Sequence, residues 1–146
     1  MGFQETKSML GVLPFNVHLG LEIREEGGKS IVWMPDTAPL KNHIGTQHAG
    51  ALFTLGEAAS GATVLDAFLD LLATATPLAK TATIEYKKVA RGPITARGTL
   101  AEPAEAIRAR VEAEGKTVFD VNVALSDEGG LEVVAMKVSW HLRKNK

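Results

Sequence analysis

Cysteine is absent from the 146-residue sequence, which removes disulfides and thiolate chemistry from consideration. Aromatic residues are scarce, and five Phe, two Trp and one Tyr leave the core to Leu, Val, Ile and Ala. Excess charge of either sign is missing too. Sixteen Lys and Arg against 17 Asp and Glu give a net charge of -1, with no electrostatic drive toward nucleic acid. No apolar run reaches the roughly 18 residues of a membrane span without charge or breakers. No segment combines a basic start, an apolar run and a small-residue cleavage site, so a cytoplasmic protein is expected. Internal repeats and low-complexity linkers are also missing. What is present, 45% hydrophobic and 23% charged residues, suits one globular domain over residues 1–146 with one core.

The informative stretch is Asn42–Gly61, N-H-I-G-T-Q-H-A-G-A-L-F-T-L-G-E-A-A-S-G. Between Lys41 and Asp66 the only formally charged side chain is Glu57, with His43 and His48 the only other ionisable groups. A lone carboxylate in an apolar run needs a hydrogen-bond partner, solvent or a function, because burying it unpaired is costly.

Around this stretch the chain punctuates itself. Phe3–Leu13 reads as a short amphipathic helix, a lid or surface element ending near Gly11 or Pro14. Phe15–Ile23 alternates like a strand in its second half, Gly27-Gly28 turns, and Ser30–Met34 returns before Pro35, giving a hairpin. Ala49 to about Phe68 has helical composition despite Gly50, Gly56 and Gly61, each costing about 1 kcal/mol relative to Ala. A helix that tolerates these glycines gains from close packing on a sheet. It is expected to run toward Leu72 and end at Thr76-Pro77. Thr81–Val89 and Ile94–Leu100 read as strands around the Arg91-Gly92-Pro93 turn. Glu102–Gly115 is ambiguous. Ile107–Val111 alternates, yet Pro103-Ala104-Glu105-Ala106 resembles a first helical turn and Gly115 a stop, which favours helix. Thr117–Ser126, the Asp127–Gly130 turn and Leu131–Leu142 close the chain as a hairpin. The order predicts an α+β fold, an antiparallel sheet covering one long helix.

His48 stands where loop becomes helix. The free N–H groups of Ala49, Gly50 and Ala51 then face outward at the positive end of the helix dipole, where a carbonyl becoming an oxyanion is stabilised. An ordinary helix start with a structural glycine gives the same pattern. Glu57 follows nine residues later, two and a half turns on, so it faces the opposite side about 13 Å along the axis. The two cannot serve one small reacting group within a monomer. A two-fold dimer resolves this by bringing Glu57 of one chain to the His48 turn of the other. The alternative is that Glu57 meets backbone or lysine groups at a dimer seam.

Asn42-x-x-Gly45-x-x-His48-Ala49-Gly50, then Leu55-Gly56-Glu57-x-Ala59-x-Gly61, resembles the signature of hotdog-fold thioesterases of the PaaI-like group. It is closer still to their relatives under a domain of unknown function, DUF4442, over roughly Leu19 to Leu142. The resemblance implies a hotdog fold, a homodimer or dimer of dimers with sites at the subunit seam, and acyl-thioester hydrolysis. It implies that Asn42 and His48 orient the thioester and the loop, that the N–H of Ala49 with help from Gly50 polarises the carbonyl, and that Glu57 activates water or attacks directly. The family commonly has two glycines after the histidine and often Asp as the carboxylate. Here Ala49 keeps the N–H and Glu57 lengthens the reach. A Ser or Thr of the partner's sheet often assists, and Thr81 and Thr83 are candidates. The substrate implied is an acyl group on coenzyme A or a carrier protein. Its apolar part is expected beside Leu52 and Phe53, and its phosphates near Lys87, Lys88, Arg91 and Arg97. No cofactor beyond coenzyme A as part of the substrate is expected.

Other residues carry less. His18, His43 and His141 lack metal-ligand spacing, no Gly-x-Gly-x-x-Gly or phosphate loop occurs, and Asp66 with Asp70 reads as a plain acidic i,i+4 pair. Two further functions stay open beside hydrolysis: non-catalytic binding of an acyl-thioester or lipid-like ligand, and hydration of an enoyl thioester.

Overall fold

A computed structural model of the protein describes residues 2–146. Two short helices, α1 (Phe3–Leu10) and α2 (Pro14–Leu19), precede the hairpin β1 (Glu22–Glu26) and β2 (Lys29–Met34). The long helix α3 (Ala49–Phe68) follows, then β3 (Ala75–Tyr86), β4 (Ile94–Leu100), α4 (Ala104–Glu114), β5 (Lys116–Asp127) and β6 (Glu132–Lys144). Every strand pair is antiparallel, and the sheet order is β1-β2-β4-β5-β6-β3. This is the hotdog arrangement, a sheet wrapped on one long helix.

The inward face of the sheet follows the two-residue period. Phe119, Val121, Val123 and Leu125 of β5 are buried with Val134, Met136, Val138 and Trp140 of β6. Twelve of the twenty α3 residues are buried, among them Leu52, Leu55, Val64 and Phe68. Ala49–Leu71 is long and apolar enough to cross a membrane by composition alone, yet 61% of its apolar window is already buried inside the fold. Its glycines account for the close fit. A Cβ at Gly56 would lie 2.5 Å from Met136 Sδ, and one at Gly98 of β4 would strike Thr63 Oγ1 and lie 3.1 Å from Ala59 O. Helix and sheet therefore approach at these two points more closely than side chains permit.

Three boundaries differ from expectation. Pro14–Leu19 is helical, because Pro14 sits in its first turn and Gly20 ends it in the left-handed region (φ 76°), so the strand begins only at Glu22. Helix α3 ends at Phe68, followed by a 3₁₀ turn over Leu69–Leu71. Pro77 lies inside β3 rather than after the helix. Strand β3 pairs only with β6, and an edge strand accommodates a residue that lacks an N–H. The segment before Gly115 is helix α4, with Gly115 in the left-handed region (φ 77°).

Asp66 proves to be more than half of a surface pair. Its carboxylate accepts from Thr6 Oγ1 (2.6 Å), Ser30 N (2.7 Å) and Ser30 Oγ (2.8 Å), tying α1 and β2 to α3. Asp70 lies beyond α3 in the 3₁₀ turn and pairs with Arg108 at 2.7 Å.

Candidate active site

The loop before α3 is fastened from several sides. Asn42 Nδ2 donates to Thr46 Oγ1 (2.8 Å) and Gln47 O (3.3 Å), while its Oδ1 accepts the N–H groups of Ile44 and Thr46 at 3.0 Å each. Gly45 turns the loop with a positive φ of 78°. His48 N donates to Leu40 O (2.8 Å) and Gln47 N to Ala90 O (2.9 Å). Asn42 thus builds the loop with its whole amide. Gln47, which the sequence did not single out, is 2% exposed. It donates Nε2 to Pro35 O (3.0 Å) and Gly92 O (2.9 Å), and its Oε1 is buried without a partner among the described residues.

His48 is the N-cap of α3, with an extended backbone (φ -68°, ψ 139°) and Nδ1 accepting the Gly50 N–H at 2.9 Å. The histidine therefore occupies one of the three first-turn donors. Ala49, the first helical residue, has no intrahelical acceptor for its N–H. Its carbonyl accepts the Tyr86 hydroxyl at 3.1 Å, a second contact that the sequence did not single out. Burial raises the Tyr86 phenol above its ordinary value.

A cavity of about 340 Å³ opens at this helix start, lined by Asn42, Gln47, Ala49, Leu52, Tyr86, Lys87 and Lys88 among others. It gathers Asn42 and Ala49 of the expected carbonyl-facing residues with Lys87 and Lys88 of the expected phosphate-facing ones, while His48 and Gly50 do not line it. Lys87 also pairs with Glu132, which raises its pKa, chiefly through their hydrogen bond. Phe53, 37% exposed, and Arg91, also exposed, lie outside the cavity lining. Arg97 is engaged elsewhere by a two-pronged bond to Glu26 at 2.7 and 2.8 Å.

Glu57 lines a different cavity, of about 250 Å³, on the far side of α3. Its walls are mostly apolar: Met9, Leu10, Leu13, Val64, Pro77 and Trp140 contribute to them. Burial raises the Glu57 carboxyl above its ordinary 4.5, and among the described residues no hydrogen bond or cation offsets the rise. The opposed placement expected from nine residues of helix is thus realised as two cavities with no lining residue in common.

Thr81 and Thr83 register with Ser139 and Lys137. They share a sheet face opposite to that of Ala82 and Ile84, which register with the buried Val138 and Met136. Within one subunit the two threonines join neither cavity. His18 and His43 are exposed and His141 is half-buried on β6. No group of three His, Asp or Glu able to hold a metal occurs among the described residues.

Residues 7–142 match the family described as domain of unknown function DUF4442. Among solved structures, a Pseudomonas aeruginosa protein of unknown function described as a probable thioesterase is 29% identical, with a TM-score of 0.86 over 99% of this chain and 97% of that one. A Staphylococcus aureus thioesterase is 19% identical, with a TM-score of 0.70 over 90% of this chain and 99% of its own. A Chlorobaculum tepidum protein of unknown function is 19% identical, with a TM-score of 0.83 over 97% of this chain and 94% of that one. No curated protein matches the sequence. The long apolar helix, its wrapping sheet and the match over nearly the whole chain lead to one conclusion: the protein belongs to the DUF4442 family and has the hotdog fold.

Proposed function

We propose that the protein hydrolyses acyl thioesters, carried on coenzyme A or a carrier protein, at a site shared by two subunits of a homodimer or dimer of dimers. The observation that carries this reading is the desolvated carboxylate of Glu57, which faces an apolar cavity while the α3 N-terminus opens into a lysine-bearing one. A carboxylate with a raised pKa is a better proton acceptor for water than an ordinary one. Water attacks the thioester carbon as Glu57 takes its proton, and the oxyanion receives the Ala49 N–H at the positive end of the helix. Collapse expels the thiolate, which recovers the proton, leaving a carboxylic acid and a thiol.

The sheet edge supports the assembly. Strand β3 spans twelve residues at an open edge, and Leu78 is 63% exposed. Ala79 and Ala82 are exposed although their β6 partners Trp140 and Val138 are buried. A long open edge of this kind invites a covering chain, and a second copy supplies one. Two structures of the Staphylococcus aureus protein carry alanine in place of a glutamine and a glutamate fifteen positions apart. Asn42 and Glu57 stand at the same interval of fifteen here, which supports treating them as parts of one site. Hydrolase chemistry also agrees with the descriptions of the Pseudomonas protein as a probable thioesterase and of the Staphylococcus protein as a thioesterase.

The test is thiol release from a panel of aliphatic and aromatic acyl-coenzyme A substrates. Wild type is expected to turn over at least one, and Glu57→Gln to lose about 10²-fold or more in kcat. Ligand retention without product would make the protein a binder instead. Turnover that Glu57→Gln leaves unchanged would remove Glu57 from the mechanism.

A further inference from the structure

The cavity beside Glu57 has a roof, a floor and a back wall. Its roof is the N-terminal helical pair, through Met9, Leu10 and Leu13. Its floor is α3, where Gly61 follows Glu57 by one turn, and its back wall is the Trp140 ring. The wall is held in place: Trp140 Nε1–H donates to Ser60 Oγ at 3.1 Å, and Ser60 Oγ donates to Glu57 O at 2.7 Å. The roof is tied down by the Thr6–Asp66 bond and by Asn16 Nδ2, which donates to Leu10 O at 3.2 Å. Met9 and Leu13 remain 43% and 44% exposed, so the roof keeps apolar surface that an occupant would cover.

Gly61 lies between the Trp140 wall and the Leu10 roof. A Cβ built there would stand 3.8 Å from the Trp140 ring and 3.9 Å from Leu10 Cδ1, in ordinary contact with both. Glycine leaves that space empty, between two side chains that line the cavity. The volume of about 250 Å³ leaves room for an apolar chain rather than for a single small group.

Resting on the hydrolase reading above, we infer that this cavity takes the acyl tail of the thioester, a straight aliphatic chain, and that Gly61 sets its length. The reacting carbon then sits at Glu57 and the tail runs under the N-terminal helices, away from the lysine-bearing cavity that receives the carrier. This differs from the position beside Leu52 and Phe53 expected from sequence. Leu52 belongs to the carrier-side cavity, and Phe53 lines neither of the two.

Two variants move the limit in opposite directions. Gly61→Ala adds a methyl group that fits without a clash and favours the helix, so it folds. Leu10→Ala opens the roof. With saturated acyl-coenzyme A esters from butanoyl to hexadecanoyl, kcat/KM of Gly61→Ala should fall by about fourfold per methylene displaced, for the longest chains first. Leu10→Ala should raise the longest chains relative to wild type. Calorimetric titration with the matching S-alkyl coenzyme A thioethers, which cannot be hydrolysed, reads the same profile without catalysis. Opposite shifts in both readouts support the inference. Turnover whose profile neither variant moves, or a uniform loss at every length, overturns it and leaves the hydrolase reading standing. Thioether binding with the expected shifts but no turnover supports the inference and overturns the hydrolase reading. Absence of both binding and turnover overturns the two together.

Discussion

Ala49→Pro isolates the oxyanion donor from the helix that presents it. Proline is favoured in the first turn of a helix, where its missing N–H has no intrahelical partner to lose. The residue before a proline must be extended, and His48 already has ψ 139°. The Gly50 N–H bond to His48 Nδ1 does not involve the Ala49 amide, so the cap survives. Stability should therefore change by no more than about 1 kcal/mol, a shift of about 2–4 °C in Tm for a chain of this size. Loss of one oxyanion donor should lower kcat by about 10²–10³, equivalent to about 2.7–4 kcal/mol of transition-state stabilisation. Thermal unfolding by circular dichroism and thiol release on the best acyl-coenzyme A substrate measure the two effects separately. A folded variant that keeps at least half the wild-type kcat would refute the assignment of the Ala49 N–H.

Two further outcomes follow from the carboxylates. Asp66→Ala leaves the Thr6 and Ser30 donors without their acceptor, and should cost about 2–4 kcal/mol in a urea titration; a loss below about 0.5 kcal/mol would deny it the anchoring role. Glu57 has a folded pKa raised above 4.5 by burial, so its ionised form is the one penalised by folding. Its contribution to stability is therefore unimpaired below pH 4.5 and falls as pH rises through the raised value. The activity limb due to the base should rise across the same raised value. Glu57→Gln should flatten that part of the stability profile, and an activity limb centred at or below 4.5 would contradict the burial argument.

The features written by repetition were legible in the sequence. Alternation in Thr117–Ser126 sets the β5 face, and the charge-poor, glycine-bearing Ala49–Phe68 segment is the central helix. Glu57 stood out for the same reason, as one carboxylate in an apolar run. Features made by contacts distant in sequence were not legible. Gln47 is an unremarkable residue until Pro35 and Gly92 converge on its amide, and Tyr86 reaches Ala49 only after β3 is laid beside β6. Asp66 looked like surface charge because Thr6 and Ser30 lie 60 and 36 residues away. The helix at Pro14–Leu19 had both its proline start and its glycine stop in view, but alternation around Leu19–Ile23 masked them.

The shared site is tested most directly by mixing subunits. Ala49→Pro and Glu57→Gln are each expected to be nearly inactive alone. In a mixed dimer one site receives both defects, while the other receives an intact Ala49 turn from one subunit and an intact Glu57 from the other. Unfolding and refolding an equimolar mixture should then restore about a quarter of wild-type activity, since half the dimers are mixed and each holds one intact site. Activity that stays at the level of the separate variants, with mixed dimers demonstrated by mass spectrometry, would contradict a site built from two subunits.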